Sequence, residues 1–117
     1  MLYLLETNLP DQKSVFFALM QIHGIGENTA FSICKKLGFS INLKVKNLNQ
    51  EQIAELLQII DSLNLSLNNE LKKLKSMTLK RLIAIKSYRG LRRVKGLPVR
   101  GQRTHTNAKS AKKNKRF

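Results

Sequence analysis

Apolar side chains recur at helical spacing in the first third of the chain. Residues 11–23 place four apolar side chains on one face, which predicts a short helix that Asp11 or Ser14 can cap. Residues 27–37 repeat the spacing, and Gly38 follows as a natural C-terminal stop. The pattern therefore predicts two consecutive helices joined by a very short turn.

The pattern changes after the second helix. Residues 39–46 alternate strictly between apolar and polar positions, which predicts an extended, strand-like segment. Asn49 and Gln52 then form the spacing of a capping box, and the apolar stripe behind them predicts a third helix. Residues 64–76 are ambiguous, because alternating leucines, an Asn-Asn turn signal and a possible helix start overlap there.

A fourth helix is predicted at about residues 78–87, with Thr78 as its cap. From Tyr88 onward the core signals stop, and basic residues and glycines dominate. Such a composition buries too little apolar surface to offset its ordering entropy. We therefore expect a mainly α fold, with a helical globular domain at residues 1–88 and a long, extended basic C-terminal tail at residues 89–117.

The distribution of charge separates the two halves of the chain. The formal net charge is +15, yet all seven acidic residues lie within residues 1–70, beside five lysines. Residues 71–117 carry the other seventeen basic residues and no acid. A polycation of this kind indicates a polyanionic partner, with nucleic acid first and an anionic membrane surface second.

Enzymatic or metal chemistry finds little support in the sequence. The single cysteine excludes an intrachain disulfide and a Cys-rich metal site. Neither histidine has an acidic or Cys neighbour at ligand spacing, and no nucleotide-binding fingerprint is present. No window approaches the roughly 18 apolar residues of a membrane span. We expect neither enzymatic activity, nor a cofactor, nor a bound metal, nor a membrane partner.

Two features could bind a polyanion. The "GIG" turn, residues 24–26, would leave backbone N–H groups free at the start of the second helix, where phosphate binds well, although a plain helical hairpin is an equal alternative. In the tail, arginines are spaced among glycines, with Thr and Asn side chains nearby. Arginine offers a planar fork of donors to phosphate, and a nucleic-acid partner would supply the order that the tail lacks. The alternative is a disordered tail that acts by charge alone.

Residues 88–113, "YRGLRRVKGLPVRGQRTHTNAKSAKK", closely resemble the signature of bacterial-type small-subunit ribosomal protein thirteen. Shorter pieces, "NLPDQK", "HGIGENTA" and "SMTLKRLIAI", resemble the same family in the same order along the chain. Arg93 stands where a histidine is usual, and the "AKSAKK" segment is lysine-rich where arginine is common. Lysine keeps the charge but loses the two-pronged contact.

The resemblance implies a helix–two-turn–helix domain with a basic tail, located in the head of the small ribosomal subunit. It implies binding to the 3′ domain of small-subunit rRNA, with small-subunit protein nineteen as a neighbour. It further implies an intersubunit bridge to large-subunit protein five, tail contacts to tRNA, and no homo-oligomer. The implied and candidate RNA-binding residues are Gly24, Ile25, Gly26, Arg89, Gly90, Arg92, Arg93, Gly96, Arg100, Gly101, Arg103, Thr104, Thr106, Asn107, Lys109, Lys112 and Lys113.

The richness in Lys, Asn, Ile and Leu and the opening "MLY" resemble family members that are encoded in mitochondria. We therefore expect a mitochondrial ribosome, with a bacterial or plastid ribosome as the alternative. A non-ribosomal helix–two-turn–helix module that binds nucleic acid is the alternative function. Helix–two-turn–helix DNA glycosylases are disfavoured, because they need catalytic residues that this chain does not offer.

Overall fold

The computed structural model describes residues 1–115, and its secondary structure is mainly helical, as predicted. Residues 116 and 117 of the predicted tail lie outside the described part. The chain divides into two compact units, the first ending at Leu71 and the second beginning at Lys72. The elements in chain order are β1 (Leu2–Leu4), β2 (Thr7–Leu9), α1 (Val15–Leu19), α2 (Glu27–Leu37), a 3-10 turn (Val45–Asn47), α3 (Gln50–Ser62), α4 (Asn68–Ala84), α5 (Tyr88–Lys95) and α6 (Lys109–Lys113).

The first unit opens with an antiparallel hairpin that the sequence did not predict. Leu2 pairs with Leu9 and Leu4 pairs with Thr7. The two-residue turn places Leu5 and Glu6 at φ 48° and 62°. Such turns favour Gly or Asn at these positions. A three-residue strand and a turn without glycine gave no recognisable signal in the sequence.

Two of the predicted helices are confirmed. α2 ends at Gly38, which adopts the left-handed conformation at φ 66°. At the start of α3, the Gln52 Oε1 accepts a hydrogen bond from the Asn49 N–H at 3.0 Å, as expected of a capping box. α1 is shorter than predicted, because it begins after Ser14 and ends at Leu19.

The predicted strand at residues 39–46 was wrong. Alternation requires Ile41 to share a face with its apolar neighbours, yet Ile41 is 65% exposed. The segment instead docks beside the start of α1, where the Val15 N–H donates to the Leu43 O at 2.8 Å and the Val45 N–H donates to the Lys13 O at 3.1 Å. The segment leads into the 3-10 turn, where Val45 is buried. Packing against the first unit therefore sets its conformation in place of the strand that the alternation predicted.

The buried apolar core of the described chain lies wholly within the first unit. It joins the hairpin, the three helices α1, α2 and α3, and the 3-10 turn, with α2 between α1 and α3. Its fully buried large side chains are Leu19, Ile22 and Ile33. Because burial of each such side chain contributes about 1.5–3 kcal/mol, this cluster is the main source of stability in the first unit.

α4 begins at Asn68, ten residues before the start of the predicted fourth helix, and ends at Ala84, three residues before the predicted end. Thr78, the predicted cap, lies inside α4, and its hydroxyl donates to the Leu74 O at 2.9 Å. α4 has no buried residue. The region predicted as a tail, residues 89–117, contains most of α5 (Tyr88–Lys95) and all of α6 (Lys109–Lys113), and residues 96–108 form the irregular stretch between them. The functional division into residues 1–88 and 89–117 stays a prediction.

Candidate nucleic-acid interface

The two glycines of the "GIG" turn differ in their surroundings: Gly24 is packed against other residues, and Gly26 faces open space. Gly24 has φ +111°, and a Cβ there would lie 2.8 Å from the Leu67 Cδ2 and 2.9 Å from the Ser66 O. Ile25 is buried, and its N–H donates to the Ile22 O at 3.1 Å. Gly24 therefore allows the segment before α4 to approach closely, and the Ile25 side chain belongs to the core rather than to a surface.

Gly26 is the residue of the turn that faces open space. It is exposed, it precedes the first turn of α2, and a Cβ there would meet nothing within 4 Å. The N-terminal N–H groups of a helix carry a partial positive charge that favours anions. Glu27 already places a carboxylate in that first turn, which weakens the attraction for a second anion.

In the second unit, α5 is built for close contact with the end of α4. Ser87 caps α5 by accepting a bond from the Gly90 N–H at 3.1 Å, and its own hydroxyl donates to the Leu82 O at 2.8 Å. Gly90 is buried, and a Cβ there would lie 2.5 Å from the Leu82 O. Gly90, a candidate RNA-binding residue, thus has a packing role at this crossing.

Gly96 ends α5 in the left-handed conformation, with φ +69°. Its N–H donates to the Arg93 O at 3.1 Å, and the next N–H, of Leu97, donates to the Arg92 O at 3.0 Å. Both bonds satisfy carbonyls that the end of a helix leaves open. The chain then reverses, which brings Pro98 into a buried position beside α5.

Arg92 holds this reversal in place. Its Nε donates to the Pro98 O at 3.0 Å, and its guanidinium carbon lies 5.9 Å from the centre of the Tyr88 ring. The side chain of Arg92 is half-buried, as is that of Arg93, whereas Arg89 is exposed. One of the three arginines of α5 is therefore partly engaged within the protein.

The irregular stretch after Pro98 presents its polar side chains to solvent. Gly101 turns the chain with φ +66°, in open space. Thr106 also has a positive φ of 66°, which is uncommon for a β-branched residue, and its hydroxyl donates to the His105 O at 2.6 Å. The exposed candidate residues of this stretch and of α6 are Arg100, Gly101, Arg103, Thr104, Thr106, Asn107, Lys109, Lys112 and Lys113.

The described cations of the second unit have no acidic partner within residues 1–115. Within residues 1–115, the only ion pair joins the Met1 amino group to Asp11 at 2.6 Å, and it lies in the first unit. Because residues 71–117 contain no acid, the positive field of this segment is not neutralised locally. An uncompensated field of this kind attracts phosphates over distances of about 8–10 Å at physiological salt.

The described residues offer little for catalysis. No group of three His, Cys, Asp or Glu side chains in residues 1–115 is placed to hold a metal ion. Burial raises the pKa of the Cys34 thiol above its ordinary value of 9.0, so this cysteine is a poor nucleophile. None of the helices within those residues combines the length and apolarity that crossing a membrane requires.

A small helical protein whose C-terminal part is an uncompensated polycation has the charge pattern of nucleic-acid-binding proteins. The family model described as "Ribosomal protein S13/S18" matches residues 3–110. The chain therefore belongs to the ribosomal protein S13/S18 family, as the tail motif indicated. It is a constituent of the small ribosomal subunit rather than an enzyme.

Two relatives agree with this assignment over nearly the full chain. A Marchantia polymorpha protein named "Small ribosomal subunit protein uS13m" is 48% identical over 113 residues, which cover 97% of this chain and 93% of that protein. A Schizosaccharomyces pombe protein of the same name is 42% identical over 113 residues, covering 97% of this chain and 74% of its relative. Both are mitochondrial forms, and the expected location in the mitochondrial ribosome is confirmed.

Sequence reasoning missed that some candidate residues hold the fold of the second unit. It treated Gly90 and Arg92 as RNA contacts, and it assigned no helix to residues 88–95. Signals for that helix were present, because Ser87 is a good N-cap and Gly96 a good C-terminal stop. The glycine within the segment obscured them, since Gly in a helix interior costs about 1 kcal/mol.

Proposed function

We propose that this protein holds the 3′ domain of small-subunit rRNA in the head of the small subunit, and that its second unit makes most of the contacts. The observation that carries the proposal is the set of exposed cations in residues 72–115, which have no acidic partner. Neutralising phosphates with such side chains releases counterions, and this release drives RNA binding. Family membership supports the same role.

The exposed arginines are the strongest phosphate ligands in this proposal. Arg89, Arg100 and Arg103 extend from three places along the second unit, so together they can contact separated phosphates. Arg92 and Arg93 are half-buried and contribute charge close to the fold. Thr104, Thr106 and Asn107 offer hydrogen bonds to ribose and phosphate, and the lysines of α6 add charge without a fixed geometry.

The "GIG" turn is a weaker candidate for phosphate binding. In this proposal, only the exposed backbone at Gly24 and Gly26 contacts RNA, because the Ile25 side chain is buried. Glu27 opposes a phosphate at the start of α2. The turn therefore positions the helices first and contacts RNA second.

Further contacts are proposed from the resemblance of the chain to its family. They are a bridge to large-subunit protein five, a contact with small-subunit protein nineteen, and an approach of residues 89–117 to tRNA. No homo-oligomer and no membrane contact form part of the proposal.

A charge-matched pair of triple variants tests the proposal. In one, Arg89, Arg100 and Arg103 become Gln; in the other, the exposed lysines 35, 36 and 46 of the first unit become Gln. Both remove three charges from the full chain. Affinity for a transcript of the 3′ domain of small-subunit rRNA is measured from about 50 to 200 mM salt, where six phosphate contacts would cost the unmodified protein roughly 10³ in affinity.

We expect the arginine variant to lose about three units from the slope of log affinity against log salt, because each phosphate contact contributes about one. The lysine variant should keep the original slope within about one unit. Equal losses in the two variants would show that net charge alone, and not the second unit, determines binding.

A further inference from the structure

The second unit contains a groove of about 230 Å³ between the end of α5, the reversal that follows it and α6. Leu97, Pro98 and Val99 form an apolar part of its lining. Polar side chains of Arg93, Gln102, Asn107 and Asn114 line the rest of it. The groove therefore combines an apolar part, which a flat ring can pack against, with side chains that can hydrogen-bond.

The groove is formed by the protein's own hydrogen bonds. The Arg92 Nε fixes the Pro98 O at 3.0 Å, and the Leu97 N–H is bound to the end of α5. α6 lies close by, because a Cβ on Gly96 would lie 3.6 Å from the Lys112 Cα. A site preformed in this way loses little conformational entropy when it binds.

The polar side chains around the groove are available for a ligand. Within residues 1–115, Gln102, Asn107 and Asn114 make no side-chain hydrogen bond to the protein, and Arg93 makes no ion pair. An amide group offers a donor and an acceptor side by side, which matches the edge of a nucleobase, and a guanidinium can stack on a base or bind a purine edge.

Size and charge narrow the choice of ligand. The volume lies below the roughly 300–1,000 Å³ of pockets for drug-sized molecules, so it suits a single flat ring system. α6 carries exposed Lys109, Lys112 and Lys113 next to its groove-lining residues, and no acid lies in residues 71–117. This charge favours a ligand that carries a phosphate over an aromatic side chain of another protein.

We propose that this groove binds one unstacked purine nucleotide of RNA, with the base against Leu97, Pro98 and Val99, the amides of Gln102 and Asn107 on its polar edge and the α6 lysines near its phosphate. The inference rests on the proposed RNA-binding function and adds to it a site that recognises a base. RNA proteins commonly read bases that are splayed out of loops and bulges.

The test compares four RNA hairpins that differ at one position: fully paired, or with a single bulged adenosine, guanosine or uridine. Affinities of the full-length protein are measured at fixed salt, and the readout is the ratio of each bulged affinity to the paired one, so general effects on phosphate binding cancel. We expect both purine bulges to be favoured by roughly 5–100-fold, as for one well-formed base contact. The uridine bulge should gain less than either purine bulge.

Two variants test the groove, one by removing a hydrogen-bonding group and the other by filling its volume. Gln102→Leu removes an amide at nearly constant size, and Ala111→Leu fills the groove from α6 without a change in charge. Both should bring the purine ratio to within about twofold of one. The control is Gln58→Leu, the same substitution at an exposed position of α3, which should keep the ratio of the unmodified protein.

The possible outcomes separate the two proposals. Tight binding of all four hairpins with equal affinity would overturn the purine site and leave the proposed RNA-binding function standing. A purine preference that survives both groove variants would also overturn the site. Failure to bind any hairpin or the 3′-domain transcript would overturn both proposals, and binding of N-acetyltyrosinamide in the groove without binding of AMP would assign it to a protein partner instead.

Discussion

Gly90 lies so close to the backbone of Leu82 that a single added methyl group would reach 2.5 Å from the Leu82 O and 2.7 Å from its carbonyl carbon. Real Cβ atoms essentially never approach a backbone this closely. The crossing of α5 over the end of α4 therefore depends on the absence of a side chain at residue 90. The Ser87 hydroxyl also donates a hydrogen bond to the Leu82 O, which holds α5 close to α4 at this point.

Replacing Gly90 with alanine should force α5 away from α4. Overpacking costs about 1–3 kcal/mol, and a contact of 2.5 Å with rigid backbone puts this substitution in the upper part of that range, above the gain of about 1 kcal/mol that alanine brings to a helix. Hydrogen exchange in the full-length protein should become faster across residues 88–95. RNA affinity should also fall, because Arg89 and Arg93 move with the helix.

Gly101→Ala provides the control for this crossing. It adds the same methyl group in open space, at a cost of about 1–2 kcal/mol for its positive φ. Its effect should stay within the irregular stretch and leave hydrogen exchange in α5 unchanged. Unchanged exchange in Gly90→Ala would contradict the predicted role of this glycine.

The two exposed glycines of the "GIG" turn should respond differently to alanine. Gly24→Ala places a methyl group 2.9 Å from the Ser66 O at a φ of +111°, so it should lower the free energy of unfolding by about 2 kcal/mol or more. Gly26→Ala has open space and an extended φ of −97°, and it should change stability by less than about 0.5 kcal/mol. Urea denaturation followed by circular dichroism measures both. Equal losses would mean that the turn is not packed as described.

Local sequence signals predicted the elements whose caps and periodicity agree. α2 was found because its apolar stripe ends at a glycine stop, and α3 was found because a capping box precedes its apolar stripe. β1 and β2 were missed because their turn uses Leu5 and Glu6 in place of the usual residues. The segment at 39–46 was misassigned because its conformation is set by bonds to residues 13 and 15, which no local pattern reveals.

The candidate interface was predictable in charge but not in geometry. Composition alone located the acid-free polycation. It could not show that Gly90 serves a helix crossing or that Arg92 fixes the Pro98 carbonyl, because both depend on how the second unit packs. Residues of this kind affect RNA binding through the fold and not through direct contact.

Arg92→Lys should loosen the reversal after α5 while keeping the charge. Lysine cannot reproduce the Nε–H bond to the Pro98 O in the same planar geometry. We expect faster hydrogen exchange at residues 97 and 99, and a salt slope of RNA binding that changes by less than about one unit. Arg89→Lys is the matched control on the same helix, because Arg89 is exposed, and it should leave that exchange unaltered. Similar exchange in the two variants would show that the bond of Arg92 does not stabilise the reversal.

The buried thiol of Cys34 should make the first unit sensitive to alkaline pH. Burial raises the pKa of Cys34 in the folded protein above 9.0, so the unfolded chain loses this proton first. The contribution to stability is therefore fully present below about pH 9 and is lost as pH rises through the folded pKa.

Because lysines also titrate in this range, the measurement is the difference in urea-unfolding free energy between the unmodified protein and Cys34→Ala. That difference should stay constant below about pH 9 and shrink as the pH rises from there through the folded pKa, and alkylation of Cys34 by iodoacetamide should be slow until the protein unfolds. A difference that stays constant over this range, with rapid alkylation of the folded protein, would mean that the thiol is open to solvent and not part of the core beside Ile33.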